Sequence, residues 1–191
     1  VEEFGDQVSA GGGSLDFTIK AGSSAGQTIT MGLTGTLNYI FVPNIYKDGP
    51  AFSNLRMNVY DGPPSTGSLI ATDIQNINCI AGSSCPYTDF PLFKFSELSL
   101  VSGYEIFVEL VYESGENVIL KIRDSDVYPQ GNAWSNTSGS WNMEPGIDIG
   151  FETVVAVTDS TLVPFFKITK EGASSRIQIK DYFLPTKKGN A

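Results

Sequence analysis

The chain has 191 residues, a net charge of −9 and no histidine. Its length fits one domain that buries its own hydrophobic core, and no apolar run approaches the ~18 residues that a membrane-spanning helix needs. The acidic balance excludes a nucleic-acid surface, which requires clustered lysine and arginine. The missing histidine excludes Ser-His-Asp catalysis, Cys-His catalysis and histidine-bound metals.

Short strand-like segments separated by turn residues run through most of the chain. They alternate or are continuously apolar: LDFTIK (15–20), LNYIFVP (37–43), LRMNVYDG (55–62), YEIFVELVY (104–112), NVILKIR (117–123) and IDIGFETVVAV (147–157). Leu55, Met57 and Val59 share one face, and the segment 104–112 is apolar on both faces, as expected of a central strand. No segment has a convincing helical period. The pattern predicts an all-β fold, an antiparallel β-sandwich of jelly-roll type.

The two cysteines, Cys79 and Cys85, are separated by a flexible Gly-Ser stretch. Without histidine they are too few for a zinc site, and their spacing does not fit a CxxC redox pair. We predict a small disulfide loop, which indicates an oxidising compartment. The alternative is a pair of reduced, half-buried thiols.

The end of the chain predicts a β-hairpin, because LVPFFKITK and RIQIKDYFLP flank the turn EGASS. The predicted organisation is a sandwich over residues 1–157 and a C-terminal hairpin over 158–191. The hairpin could complete the main sheet, form an accessory ribbon or begin another domain. An isolated hairpin is marginal in water, which favours packing on the sandwich.

Both tryptophans of the chain, Trp134 and Trp141, lie in a polar, glycine-containing stretch. This favours a loop that presents aromatic surface at the edge of the β-fold; the alternative is that the rings fold back and cap the core. Aromatic rings stack on the C–H faces of sugars, and polar side chains bond the hydroxyls. The candidate ligand-binding residues are therefore Trp134, Trp141, Tyr128, Asn132, Gln130, Asn136 and Asp126. Tyr87 and Phe90 are either a second aromatic patch or packing residues.

Acidic residues around the tryptophans suggest a structural calcium ion. Asp124 and Asp126 supply hard oxygen ligands in a loop, although their spacing matches no EF-hand. Asp148 is a further metal candidate, with a buried, hydrogen-bonding role as its alternative. Together with Glu144 these acids also permit a glycosidase-type carboxylate pair. We expect a protein that is not an enzyme, since surface acids are ordinary on so acidic a chain.

Four pieces in order support a family resemblance, and together they cover about residues 25–155: AGQTITMGLTGTLNYIFV, SNLRMNVYDGPPSTGSLIAT, SLVSGYEIFVELV and DSDVYPQGNAWSNTSGSWNMEPGIDIGFETVV. They resemble secreted bacterial jelly-roll modules of large surface, adhesin-like and carbohydrate-binding proteins. The resemblance implies a β-sandwich and extracellular carbohydrate binding or adhesion. The cysteine loop and the C-terminal hairpin depart from that pattern.

Two functions are therefore expected from the sequence. The first is a secreted or cell-surface, non-catalytic carbohydrate-binding module, a monomeric part of a larger protein whose partner is a polysaccharide or a cell-surface glycan. The low charged fraction of 17% is typical of extracellular sandwiches. The alternative is a structural or adhesive domain of a bacterial surface protein, which predicts buried tryptophans and sheet edges open to a neighbour.

Overall fold

We describe residues 2–9, 15–78 and 91–157 of the protein from a computed structural model. These residues form strands and no helix, which confirms the all-β prediction; accordingly, none of them belongs to a helix that could cross a membrane. The strands are β1 (Glu2–Ser9), β2 (Leu15–Ile19), β3 (Ser23–Thr30), β4 (Gly35–Phe41), β5 (Ile45–Lys47), β6 (Ser53–Tyr60), β7 (Leu69–Ile77), β8 (Leu92–Leu100), β9 (Glu105–Gly115), β10 (Val118–Arg123), β11 (Ala133–Thr137), β12 (Ser140–Glu144), β13 (Asp148–Ile149) and β14 (Phe151–Val157).

Several sequence predictions lie outside the described residues. They are the Cys79–Cys85 disulfide, the aromatic pair Tyr87 and Phe90, and the hairpin in residues 158–191. Each of them stays a prediction.

The strands pair antiparallel in three sheets. The largest has the order β12-β11-β3-β9-β6-β7, a second has the order β1-β14-β4-β8, and a third has the order β13-β10-β2, with β5 also paired to β10. Strand β9 lies between β3 and β6, so the predicted central strand is confirmed. One hydrophobic core cluster takes residues from all three sheets, which is consistent with a β-sandwich.

The core is built by alternation along the strands. Leu55, Met57 and Val59 of β6 are fully buried in it, as their spacing predicts. Ile106, Val108 and Leu110 of β9 belong to the same cluster. Phe107 is also 0% exposed, yet it does not belong to that cluster. The six-stranded sheet is therefore covered locally on its outer face as well, and the candidate site lies there.

Candidate functional site

The outer surface of the six-stranded sheet carries an aromatic and polar cluster, which we call the aromatic face. It is formed by Tyr60, Phe107, Glu109, Trp134 and Trp141. Residues directly opposite one another in antiparallel strands share a face. In this register Phe107 stands opposite Tyr60, and both Glu109 and Trp134 stand opposite a single residue of β3, Gly26. Strand pairing alone thus gathers these side chains on one side.

Phe107 is the floor of the aromatic face. The Trp141 ring stands perpendicular to it, with 5.0 Å between ring centroids and an interplanar angle of 89°. The Tyr60 ring lies on its other side at 6.0 Å and 35°. Edge-to-face and tilted pairs of this kind are favourable ring geometries. Trp141 and Tyr60 are half-buried, so both rings retain surface open to solvent.

A glycine allows this packing. A Cβ at Gly26 would overlap a ring carbon of Phe107 and stand 2.5 Å from the carbonyl oxygen of Val108. The Phe107 ring therefore leans over β3, into space that any other residue would fill. Strands β11 and β3 separate β12 from β9, and this lean brings the Phe107 ring towards Trp141 across them.

A buried carboxylate lies beside the rings. Glu109 accepts hydrogen bonds from the Ser24 hydroxyl at 2.8 Å, the Asn58 amide at 3.1 Å and the Tyr60 hydroxyl at 2.8 Å. The Thr72 hydroxyl donates to Asn58 at 3.1 Å and holds that amide in place. Glu109 is 8% exposed. Three neutral donors from β3 and β6, the strands on either side of β9, therefore hold its charge on the sheet.

The charge on Glu109 has no cationic partner within the described residues. Two ion pairs of the described residues join Arg56 to Glu113 at 3.2 Å and Lys121 to Asp16 at 2.6 Å, and neither includes Glu109. Burial, followed by the hydrogen bond to Glu109, raises the pKa of Tyr60 to about 12. The Tyr60 hydroxyl is accordingly a protonated donor at neutral pH.

The tryptophans occupy a hairpin at the edge of the sheet. Trp134 lies in β11 and Trp141 in β12, so the prediction of a loop is wrong, while the prediction of an edge position is correct. Both are half-buried. The Trp134 indole N–H is buried and has no hydrogen-bond partner in the described part of the chain. Asn136, opposite Trp141, accepts a hydrogen bond from the Gly139 amide at 3.0 Å and braces the hairpin turn.

Tyr128 lies in the core and not on the aromatic face. It is 3% exposed, and its ring meets Phe151 edge-on at 5.0 Å. Its hydroxyl accepts from the Thr30 amide at 3.1 Å and donates to the Thr30 carbonyl at 3.2 Å. These contacts give Tyr128 a packing role that the sequence analysis did not predict.

The loop before β11 carries the exposed candidates Asp126, Gln130 and Asn132. Its backbone is fastened to β3. The Thr30 hydroxyl donates to the Gln130 carbonyl at 3.0 Å, and the Asn132 amide donates to the Thr28 hydroxyl at 2.7 Å. The backbone of Gln130 and Asn132 thus lies at the Thr28–Thr30 end of β3, whereas Ser24, which donates to Glu109, lies near the other end.

Asp148 is a buried anchor. It is 1% exposed and accepts hydrogen bonds from the Val127 and Tyr128 amides, both at 2.7 Å, and from Gln27 at 3.0 Å. Burial raises its pKa. This is the hydrogen-bonding alternative considered for Asp148 above, and it ties the loop after β10 to β13.

The predicted calcium ligands Asp124 and Asp126 are exposed. Within residues 2–9, 15–78 and 91–157, no three acidic or cysteine side chains come together in a group that could hold a metal ion. Calcium at this loop stays a prediction, and the oxygen ligands in question are those of Asp124 and Asp126.

A cleft of about 230 Å³ lies between β2 and β10 on one side and the β11–β12 hairpin on the other. Two carboxylates, Asp16 and Glu144, line it among mainly apolar side chains. Lys121, through its hydrogen bond, lowers the pKa of Asp16, and Glu144 accepts from the Ser135 hydroxyl at 2.5 Å. A lowered pKa keeps Asp16 ionised, so Asp16 does not suit the role of general acid in a glycosidase pair.

The chain matches no protein-family model and no curated protein. The resemblance to secreted jelly-roll modules accordingly stays a prediction. The geometry of the aromatic face supports the function proposed below.

Sequence reasoning missed Glu109, Asn58, Tyr60 and Phe107 as members of the site. Two signals for them exist. Glu109 is a lone carboxylate in the middle of an apolar strand, and an acid there needs partners. Asn58 and Tyr60 alternate with the core residues of β6, so they had to lie on the opposite face.

Proposed function

We propose that this protein is an extracellular, non-catalytic carbohydrate-binding module whose ligand lies on the aromatic face. One observation carries the proposal. Trp141 and Tyr60 present half-buried rings around Phe107, directly beside a carboxylate that is fixed by three donors. Sugar sites combine these two elements, an apolar platform and a few fixed polar groups.

The expected contacts follow from the chemistry of a pyranose ring. Its apolar C–H face stacks against Trp141 or Tyr60, and a hydroxyl donates to Glu109. A carboxylate has about four lone-pair sites, and three on Glu109 are occupied. One acceptor site is left for the ligand. Because the donors already hold Glu109 in place, binding costs little reorganisation of that side chain.

Binding without catalysis fits the surroundings of Glu109. Glycoside hydrolysis uses two carboxyl groups on opposite sides of the bond. The partners of Glu109 in the described residues are a hydroxyl, an amide and a phenol, and none of them is a second acid. In this proposal these groups orient a ligand.

Intrinsic tryptophan fluorescence, titrated with a panel of soluble polysaccharides, tests the proposal. We expect a saturable shift with at least one glycan and its loss in Trp141→Ala. A matched control is Phe52→Ala, which removes an aromatic ring that is 53% exposed away from the aromatic face. Phe52→Ala should bind like the unaltered protein. The proposal is wrong if no glycan shifts the emission, or if the two variants lose binding equally.

Thermal unfolding with and without calcium tests the predicted metal site. If Asp124 and Asp126 hold a structural ion, adding calcium should raise the thermal midpoint, and a chelator should lower it again. An Asp124→Asn, Asp126→Asn double variant should lose this response. An equal response in the double variant would place any calcium effect elsewhere.

A structural or adhesive role is the second candidate, and an exposed apolar edge favours it. Strand β7 ends the six-stranded order and exposes Leu69 (55%), Ile70 (36%) and Ile74 (49%). Exposed apolar edge strands pair with other chains. Light scattering over a range of concentrations should then show association that Ile74→Lys reduces. A monomer at all concentrations would remove the support for self-pairing through this edge.

A further inference from the structure

We infer that the aromatic face selects its glycan by charge: it binds sugars with protonated amino groups best, neutral sugars less well and uronic or sulfated sugars least. This inference rests on the function proposed above. It names the ligand class of that same site. The residues that carry it are Glu109, Tyr60, Trp141 and the charged neighbours of Glu109 on the sheet.

The first observation is the state of Glu109. It is buried, and its partners in the described residues are neutral donors. Hydrogen bonds stabilise the ionised form of a carboxylate without cancelling its charge. A ligand group that approaches the remaining acceptor site therefore meets a full negative charge in surroundings that screen it less than water does. An ammonium group satisfies that charge best, and a second carboxylate is repelled.

The second observation is the balance of charge around Glu109. Glu105 lies two residues before Phe107 in β9, on the same side of the strand, and is exposed. Arg56, a cation of β6, is engaged with Glu113 at 3.2 Å. Arg56 is thus held by an acidic partner, and three of the four charged side chains at positions 56, 105, 109 and 113 are acidic. The net charge of −9 acts in the same direction over longer distances.

The third observation is the orientation of the rings. Trp141 stands perpendicular to Phe107, and Tyr60 is tilted towards it on the other side. The face of an aromatic ring attracts cations through its quadrupole, and tryptophan does so most strongly. Rings and carboxylate thus favour the same charge on the ligand. A purely apolar platform would leave the three classes of sugar undistinguished.

The test compares three polymers that share a β-1,4-linked glucose-type backbone: chitosan oligosaccharides, hydroxyethyl cellulose and carboxymethyl cellulose. Dissociation constants are measured by tryptophan fluorescence at a pH where the sugar amines are protonated and at physiological salt. We expect the order amino, neutral, anionic, with about a tenfold difference between the first and the last. At high salt the difference should shrink, because screening weakens exposed charge interactions.

Two variants separate the site from the overall acidity of the chain. Glu109→Gln removes the buried charge. It should reduce, severalfold, the ratio of affinities for the amino polymer and the anionic polymer. Glu97→Gln is the matched control, since it removes one exposed charge on β8 and should leave the ratio unchanged. If Glu109→Gln does not fold, Glu113→Gln serves in its place. It releases the exposed partner of Arg56 and should narrow the ratio in the same direction.

The outcomes distinguish this inference from the proposed function. If no polymer binds, both fail. If all three bind with equal affinity, the module is a glycan binder and the charge selection is wrong. If Glu97→Gln changes the ratio as much as Glu109→Gln does, the preference comes from net charge alone and the assignment to the aromatic face is overturned.

Discussion

Asp148 shows how one buried carboxylate fixes the path of a loop. Its two oxygens receive three donors, from Val127, Tyr128 and Gln27. The carbonyl oxygen of the Gln27 side chain in turn accepts the Ile149 amide at 3.1 Å. That second bond fixes which end of the Gln27 amide faces Asp148. The network thus requires both side-chain atoms at the tip of residue 148 to be hydrogen-bond acceptors.

This requirement gives a prediction for Asp148→Asn. The amide nitrogen introduced at position 148 would face a hydrogen-bond donor. Rotating the Gln27 side-chain amide by half a turn would present its oxygen there instead, but would break its hydrogen bond with the Ile149 amide. We expect a loss of about 1–3 kcal/mol in the free energy of unfolding, the cost of buried polar groups left unpaired. Denaturant unfolding measures it. Asp48→Asn, at an exposed position, should change little, and equal stability of the two variants would contradict the role given to Asp148.

Tyr60 gives a prediction about pH. Its pKa in the folded protein is raised to about 12, first by burial and then by the bond to Glu109, whereas an unfolded tyrosine titrates near 10. A raised folded pKa contributes stability that is fully present below about pH 10 and is lost as the pH rises towards 12.

Tyr60→Phe should therefore lose less stability than the unaltered protein over that alkaline interval. Urea unfolding at a series of pH values measures the difference. Burial also raises the pKa of Tyr46 and Tyr128, but both remain in the variant, so the difference reports on Tyr60. Parallel stability curves for the two proteins would show that the Tyr60–Glu109 bond does not couple to folding.

At the scale of the element, the β11–β12 hairpin depends on its two-residue turn. Ser138 and Gly139 have φ of 58° and 88°, and positive φ at both positions is the type I′ requirement that Asn-Gly meets best. Ser138→Asn should therefore raise the free energy of unfolding by up to about 1 kcal/mol, measured by thermal or denaturant unfolding. Ser138→Val should lower it, because β-branched residues resist positive φ. The same sign for both variants would contradict the turn assignment.

The elements also show where sequence reasoning succeeds. Strand β6 is predicted because Leu55, Met57 and Val59 are all large and all face the core. Strand β11 escapes prediction because its core-facing positions hold the small residues Ala133 and Ser135. Its large residue, Trp134, faces outward. Hydrophobic alternation identifies a strand only when the buried side chains are larger than the exposed ones.

Glu109 and its hydrogen-bond donors escaped prediction for a different reason. Its donors Ser24 and Asn58 lie 85 and 51 residues away in the sequence. Only the strand order β3-β9-β6 brings them together. Local patterns predict the strands, and they do not determine which strands become neighbours.

For the whole molecule, strand β1 closes the described fold, because it pairs with β14 from Glu2↔Val157 to Ser9↔Phe151. A variant without residues 1–9 would leave β14 as an edge strand. We expect a lower denaturation midpoint and concentration-dependent association, since unpaired edges recruit other chains. Denaturant unfolding and light scattering test this. An unchanged midpoint in a monomeric variant would show that β1 adds nothing to the stability of the fold.

Trp141 stands on the last strand of its sheet, and within the described residues β12 is hydrogen-bonded to β11 alone. Terminal hairpins open locally far more often than the whole protein unfolds. Each opening would carry the indole away from Phe107, so only the closed fraction of molecules would hold ligand, and the apparent affinity would fall by that fraction. Ligand should in turn slow amide hydrogen exchange in β12. Sequence changes at a turn remote from the sugar could then set binding strength without altering a single contact residue.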